Sequence, residues 1–197
     1  PLNVSRSYLQ SDASVKKITN YITRKVADKL NSIFKNEREN LESKWNDIKV
    51  VIEYGMLTED KFYDKAESFN LYPTVDDKYF TYEELEKKIK KLQTDKDGNL
   101  IILYAQNKDE QYTYIESAKE KGSEVLLLDS PIIPHLMQKL ESKKEKIKFS
   151  RVDSDTLENL IKKDEEVISK LTDEEKEKLK PIIETAVENE KYTVQLE

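Results

Sequence analysis

The runs "NLIILYA" and "EVLLLD" constrain the fold more than any other feature of the chain. Each is a short, almost unbroken apolar stretch bounded by turn residues. A strand wetted on one face alternates polar with apolar side chains, whereas one covered on both faces does not. Between them lies a helical pattern, "DEQYTYIESAKEK", that ends at Gly122, the residue type that most often closes a helix. A second helical pattern, "SPIIPHLMQKLE", with Ser130 expected as its cap and Pro131 at its first position, leads to "KIKFSRV", which alternates as a third strand. Strand, helix, strand, helix, strand with buried strands predicts a small parallel sheet joined by right-handed crossovers.

Upstream the period changes from two to three and a half. Val15, Ile18, Ile22, Val26, Leu30 and Ile33 make one stripe of a long amphipathic helix. Leu41, Trp45, Ile48 and Ile52 share a face of a second helix, expected to break at Gly55 in "YGML". A third, "TEDKFYDKAESF", has Thr58 as its expected cap. Three helices with short connections predict a helical unit over about residues 5–69. After "NLYPTVDD", the box "TYEE" pairs Thr81 with Glu84 to open a charged helix that ends before "DKDGN". Beyond Asp153 the chain is mostly acid and helix former. Thr172 and Glu175 make a second box there, and Pro181 is expected to kink or divide the helix after it. The expected fold is α/β with a helical unit: a three-helix unit, a small α/β layer unit with a short parallel sheet, then acidic helices. "KYTVQL" near the end alternates like a strand with no partner after it. With the start on Pro1, this leads us to expect a piece of a longer protein.

Composition excludes several chemistries. Three glycines in 197 residues provide no loop to cradle phosphates, so neither a P-loop nor a dinucleotide fingerprint is present. The absence of cysteine removes disulfides, thiol nucleophiles and Cys-ligated metal, and the single histidine, His135, leaves little for a metal cluster or a catalytic triad. No metal site is expected. No apolar run approaches the roughly 20 residues of a membrane span, and no signal-peptide pattern opens the chain, so a cytoplasmic protein is expected. The net charge is -6, yet residues 1–35 carry seven Lys or Arg against Asp12 and Asp28. That basic end is where an anion would go. Without aromatic interleaving or a binding motif, nucleic acid is not an expected partner.

Asn3, Arg6 and Gln10 are spaced by three and four, so on a helix they would share one face. Arg6 would offer a planar fork to phosphate oxygens, with the two amides orienting a ligand. A capped helix with a surface arginine is the commoner outcome of such spacing. Trp45 lies in the apolar register and is expected in the core. His135 reads as a surface or structural histidine, and Asp76 and Asp77 as a solvated turn. Tyr79, Tyr82, Tyr104, Tyr112 and Tyr114 cluster around the α/β unit and should be mostly half-buried. A small-molecule enzyme using the strand ends near Gln106 or Asp129 lacks convergent catalytic residues. A free-standing protein-interaction module, unrelated to nucleotide, is the main alternative reading.

"PLNVSRSYLQ" resembles the "PLN(L/V)SRE(x)LQ" segment in the middle domain of the ninety-kilodalton heat-shock chaperones, the HtpG proteins of bacteria. The resemblance continues through "VKKITNYITRKVADKL", "YGMLTEDKFYDKA" and "GSEVLLLD". It implies an ATP-dependent stress chaperone. Residues 1–70 would hold the catalytic loop and helical unit, residues 71–152 the small α/β unit of the middle domain, and residues 153–197 the start of a C-terminal domain. It implies that Arg6 reaches the γ-phosphate of ATP, with Mg, bound in a separate N-terminal domain, and that Asn3 and Gln10 support that contact. The piece alone would then hold no cofactor and be no enzyme, while the parent would be an ATPase that contacts unfolded clients. The family dimerises through the far end of its C-terminal domain, so the piece would be monomeric. The sequence departs from the family at Ser7, which replaces a Glu, in a shorter segment after "YAQN", and at Pro134 and His135, where many members have an acid and an aromatic.

Overall fold

The computed structural model describes residues 4–5, 8–9, 13–162 and 172–187. The chain divides into two units, Pro1–Lys162 and Lys163–Glu197. The first unit opens with β1 (Val4–Ser5) antiparallel to β2 (Tyr8–Leu9), Val4 opposite Leu9 and Ser5 opposite Tyr8. These residues are extended and pair across to each other, so the helix that would align Asn3, Arg6 and Gln10 on one face does not run through them.

The helical unit comes next. α1 (Ala13–Asn36) is the expected amphipathic helix, but its stripe is only half used. Ala27 is buried and Leu30 and Ile33 pack partly against the core, whereas Ile18, Ile22 and Val26 are 47%, 54% and 47% exposed. The expected second helix is two, α2 (Arg38–Ser43) and α3 (Trp45–Thr58), separated at Lys44. The apolar register survives the break: Leu41, Trp45 and Ile52 are all buried. Trp45, 1% exposed, is a core residue.

Gly55 does not end α3. A Cβ there would sit 2.9 Å from the ring of Phe62 in α4 (Asp60–Ala66), so the glycine permits two helices to approach closely. Thr58 is correspondingly the last residue of α3, its hydroxyl donating to the Tyr54 carbonyl at 2.9 Å, and Glu59 precedes α4. Gly55→Ala gains about 1 kcal/mol of helix propensity but overpacks Phe62 by about 1–3 kcal/mol. The expected result is a lower urea midpoint; a raised midpoint would show that the ring swings aside freely.

A hairpin that the sequence pattern did not announce connects the helical unit to the sheet, β3 (Tyr72–Pro73) antiparallel to β4 (Tyr79–Phe80). Thr81 then caps α5 (Tyr82–Ile89) in a complete box: the Glu84 amide donates to the Thr81 hydroxyl, and the Thr81 amide donates to the Glu84 carboxylate. The sheet is built from β5 (Leu100–Ala105), β6 (Val125–Leu127) and β7 (Ile147–Arg151) in the order β6-β5-β7, with both pairings parallel. The crossovers are α6 (Tyr112–Glu120), closed at Gly122 with φ 78°, and α7 (Ile133–Lys143). Alternate residues of β5 feed two cores. Leu100 and Ile102 join Leu136 and Leu140 of α7 and the helical unit, while Ile101 and Leu103 join Ile115 and Ala118 of α6.

Ser130 is not the cap of α7. Its carbonyl accepts from the Ile133 amide at 3.1 Å, Ile132 takes the cap position, and Pro134 rather than Pro131 occupies the first turn, where a missing N–H costs nothing. A short α8 (Leu157–Leu160) lies near the end of the first unit. In the second unit, Thr172 and Glu175 form their box ahead of α9 (Asp173–Val187), which continues past Pro181 instead of dividing there. The strand pattern at residues 191–196 lies outside the described residues.

Candidate functional site

Asn3, Arg6 and Gln10 lie outside the described residues; the flanking β1 and β2 pair ahead of α1. The described structure does show where that segment leads. The 24 residues of α1 carry the chain to α4, where Asp28 is bonded to Lys65, and then to Arg38 at the start of α2.

Arg38 joins the helical unit to the α/β unit. Its Nε donates to Glu42 at 2.7 Å, Nη1 and Nη2 donate to the two carboxylate oxygens of Glu84 at 2.5 and 2.9 Å, and Nη2 also reaches the Tyr79 carbonyl at 3.0 Å. The guanidinium carbon lies 5.2 Å from the Phe34 ring centre. A lysine could not make this forked set of bonds. Glu84 thus serves two elements at once, capping α5 and clamping α2. The Arg38 bond is the main reason its carboxyl is held down at about 2, and Glu84 in turn raises Arg38 well above its ordinary value. Sequence spacing could not reveal this pair, since 46 residues separate the partners; only the capping half of the Glu84 role was visible.

The carboxyl ends of the strands are occupied by structural bonds. The Gln106 and Asn107 amides both donate to the Gln111 side chain, at 2.7 and 3.1 Å. Asp129 accepts from Lys49 of α3 at 2.5 Å, and Lys49 also donates to Asn46 at 3.1 Å. One turn along α3, Glu53 is 7% exposed, and burial pushes its carboxyl up. Asp76 and Asp77, in the β3–β4 turn, pair with Lys119 and Lys108 at 2.9 and 2.8 Å, and Asp77 has the left-handed φ of 59°. His135 is exposed in the first turn of α7. Tyr82 is buried and Tyr79 and Tyr104 half-buried, but Tyr112 and Tyr114 are exposed on α6. Among the described residues, no group of three or more His, Cys, Asp or Glu could hold a metal ion, and no helix is long and apolar enough to cross a membrane.

Comparison with known proteins places these features in context. The family pattern described as Hsp90 protein matches residues 1–197. The chain is 56% identical over 177 residues to the chaperone protein HtpG of Bacteroides thetaiotaomicron, covering 90% of this chain and 26% of that protein. It is 50% identical over 184 residues to HtpG of Porphyromonas gingivalis, covering 93% of this chain and 27% of that one. It thus spans about a quarter of the length of these relatives, with 26% in the first case. Among solved structures, the middle domain of a Plasmodium falciparum heat shock protein superposes with a TM-score of 0.56 at 14% identity, covering 75% of this chain and 61% of that one. At that identity the likeness concerns the fold alone.

Proposed function

Because the chain belongs to the Hsp90 protein family, we propose that it is the middle-domain part of an ATP-dependent chaperone that completes a nucleotide site held elsewhere in the parent protein. In this reading Arg6 reaches the γ-phosphate of ATP, held with Mg by the N-terminal domain, while Asn3 and Gln10 orient the segment. Residues 1–70 carry that segment and the helical unit, residues 71–152 the α/β unit, and residues 153–197 the start of the C-terminal domain. The parent works in the cytoplasm as a homodimer, and the helical and α/β units offer surface to unfolded clients.

The observation that carries the reading is the family match across "PLNVSRSYLQ" together with the course of the chain beyond that segment. The chain runs from it into α1, and α1 leads to two ties, Asp28 with Lys65 and Arg38 with Glu84. A displacement at Arg6 on domain closure would therefore reach both the helical unit and α5 through bonded groups rather than through loops. Arginines used this way stabilise charge that develops on a transferring phosphoryl group.

Arg6→Ala in the full-length parent is expected to lower steady-state ATP turnover about tenfold, about 1.4 kcal/mol of transition-state stabilisation, with nucleotide affinity nearly unchanged. Unchanged turnover would return Arg6 to a surface charge and favour the interaction-module reading.

A further inference from the structure

The groove between the first half of α1 and α4 has a volume of about 450 Å³ and gathers four cations, Lys17 and Arg24 from α1 and Lys61 and Lys65 from α4. Among the described residues, Glu59 is the one acid on its wall. Lys65 is bonded to Asp28, whereas Lys17, Arg24 and Lys61 have no carboxylate partner among the described residues. Elsewhere in the first unit Lys49, Lys108, Lys119, Lys139 and Lys144 each reach an acid. The positive lining of the groove runs against the balance of the chain, 40 acids against 34 Lys and Arg.

Three unpaired cations converging on one concavity repel one another, and the walls of a groove concentrate their field. Core packing does not account for the arrangement: Lys17, Arg24 and Lys61 are exposed and anchor no core, and Arg24 lies 5.8 Å from the centre of the Tyr21 ring on the same wall and helps to hold down the Asp28 carboxyl without bonding to it. An arginine fork flanked by lysine point charges suits an anion that carries several oxygens and more than one negative charge. We propose that this groove binds a compact phosphate-bearing polyanion of the di- or triphosphate class. The site belongs to α1 and α4 and does not depend on the role assigned to Arg6.

The test is calorimetric titration of the 197-residue chain with inorganic pyrophosphate and tripolyphosphate, and in parallel with ADP and ATP. Saturable binding is expected, tighter than about 1 mM in about 20 mM salt and weakened about tenfold in about 200 mM salt, because exposed charges are screened over a Debye length. Arg24→Ala and Lys61→Ala, both at exposed positions, should each weaken it about fivefold without shifting the unfolding temperature, since each removes one of the converging charges. Lys91→Ala, beyond α5, should leave it unchanged. Equal affinity for tripolyphosphate and ATP identifies the phosphate chain as the recognised group, and tighter ATP binding adds a nucleoside contact. No saturation up to about 10 mM, equal affinities for all variants, or tighter binding of a polyglutamate peptide would each overturn the assignment.

Discussion

Arg38→Ala is expected to lower the stability of the first unit by about 2–3 kcal/mol in urea denaturation at pH 7. The carboxyl of Glu84 falls from 4.5 to about 2 in the folded chain. For a dry pair, linkage would turn such a shift into roughly 3 kcal/mol. The two side chains are 35% and 39% exposed, and water screening reduces the ion-pair part to about 1 kcal/mol. The bond to the Tyr79 carbonyl contributes about 1 kcal/mol, and the contact with Phe34 adds about half as much. Because the folded carboxyl lies below its unfolded value, the ion-pair part is fully present above about pH 4.5. It is lost as pH falls toward 2, while Arg38 stays charged throughout. Wild type and Arg38→Ala should therefore draw together at pH 3. Arg38→Lys, which keeps the charge but not the fork, should recover less than half of the loss at pH 7. A gap that is the same at pH 7 and pH 3 would show that Arg38 acts by packing alone.

The clamp also marks where the sequence stops being informative. β5 and β6 were legible because a doubly buried strand needs an apolar run, and α5 because its capping box is local. Trp45 was legible because its register holds even across the unforeseen break at Lys44. Features that depend on long-range partners were not visible. Gly55 looks like a terminator until Phe62 is placed beside it. Ser130 followed by Pro131 looks like a helix start, yet Pro134 can set the start three residues later. The β3–β4 hairpin is too short to show a period, and an apolar stripe such as that of α1 does not reveal that Ile18, Ile22 and Val26 stay about half exposed. The segment around Arg6 is the reverse case. The resemblance assigns it a role that spacing alone does not, and the helical face that its spacing suggested is incompatible with the extended β1 and β2.

Glu53→Gln is expected to stabilise the first unit by about 2 kcal/mol at pH 7, although it replaces a buried residue. Glu53 lies on the face of α3 that meets the β6–α7 loop, where Lys49 is already bonded to Asp129 and Asn46. Its Oε2 is buried without a hydrogen-bond partner among the described residues, as is the Ser130 hydroxyl oxygen. An ionised Glu53 thus lies near an ammonium already bonded to a second carboxylate, in a place that water barely reaches. Burial raises its carboxyl, and the nearby Asp129 adds to the rise, while the Lys49 ammonium opposes it. A raised folded value means that the native chain holds this proton to higher pH than the unfolded chain does. The contribution is then complete below the ordinary 4.5 and is lost as pH climbs through the folded value. Glutamine keeps the shape and cannot ionise, so the variant should match wild type near pH 4 and exceed it increasingly above. The check is urea denaturation of both proteins from pH 4 to pH 8. Curves that stay parallel would mean that Glu53 does not change its proton affinity on folding. A variant less stable at pH 7 would mean that the ionised carboxylate is needed to balance Lys49, and that the seam between α3 and the sheet is held by charge rather than in spite of it.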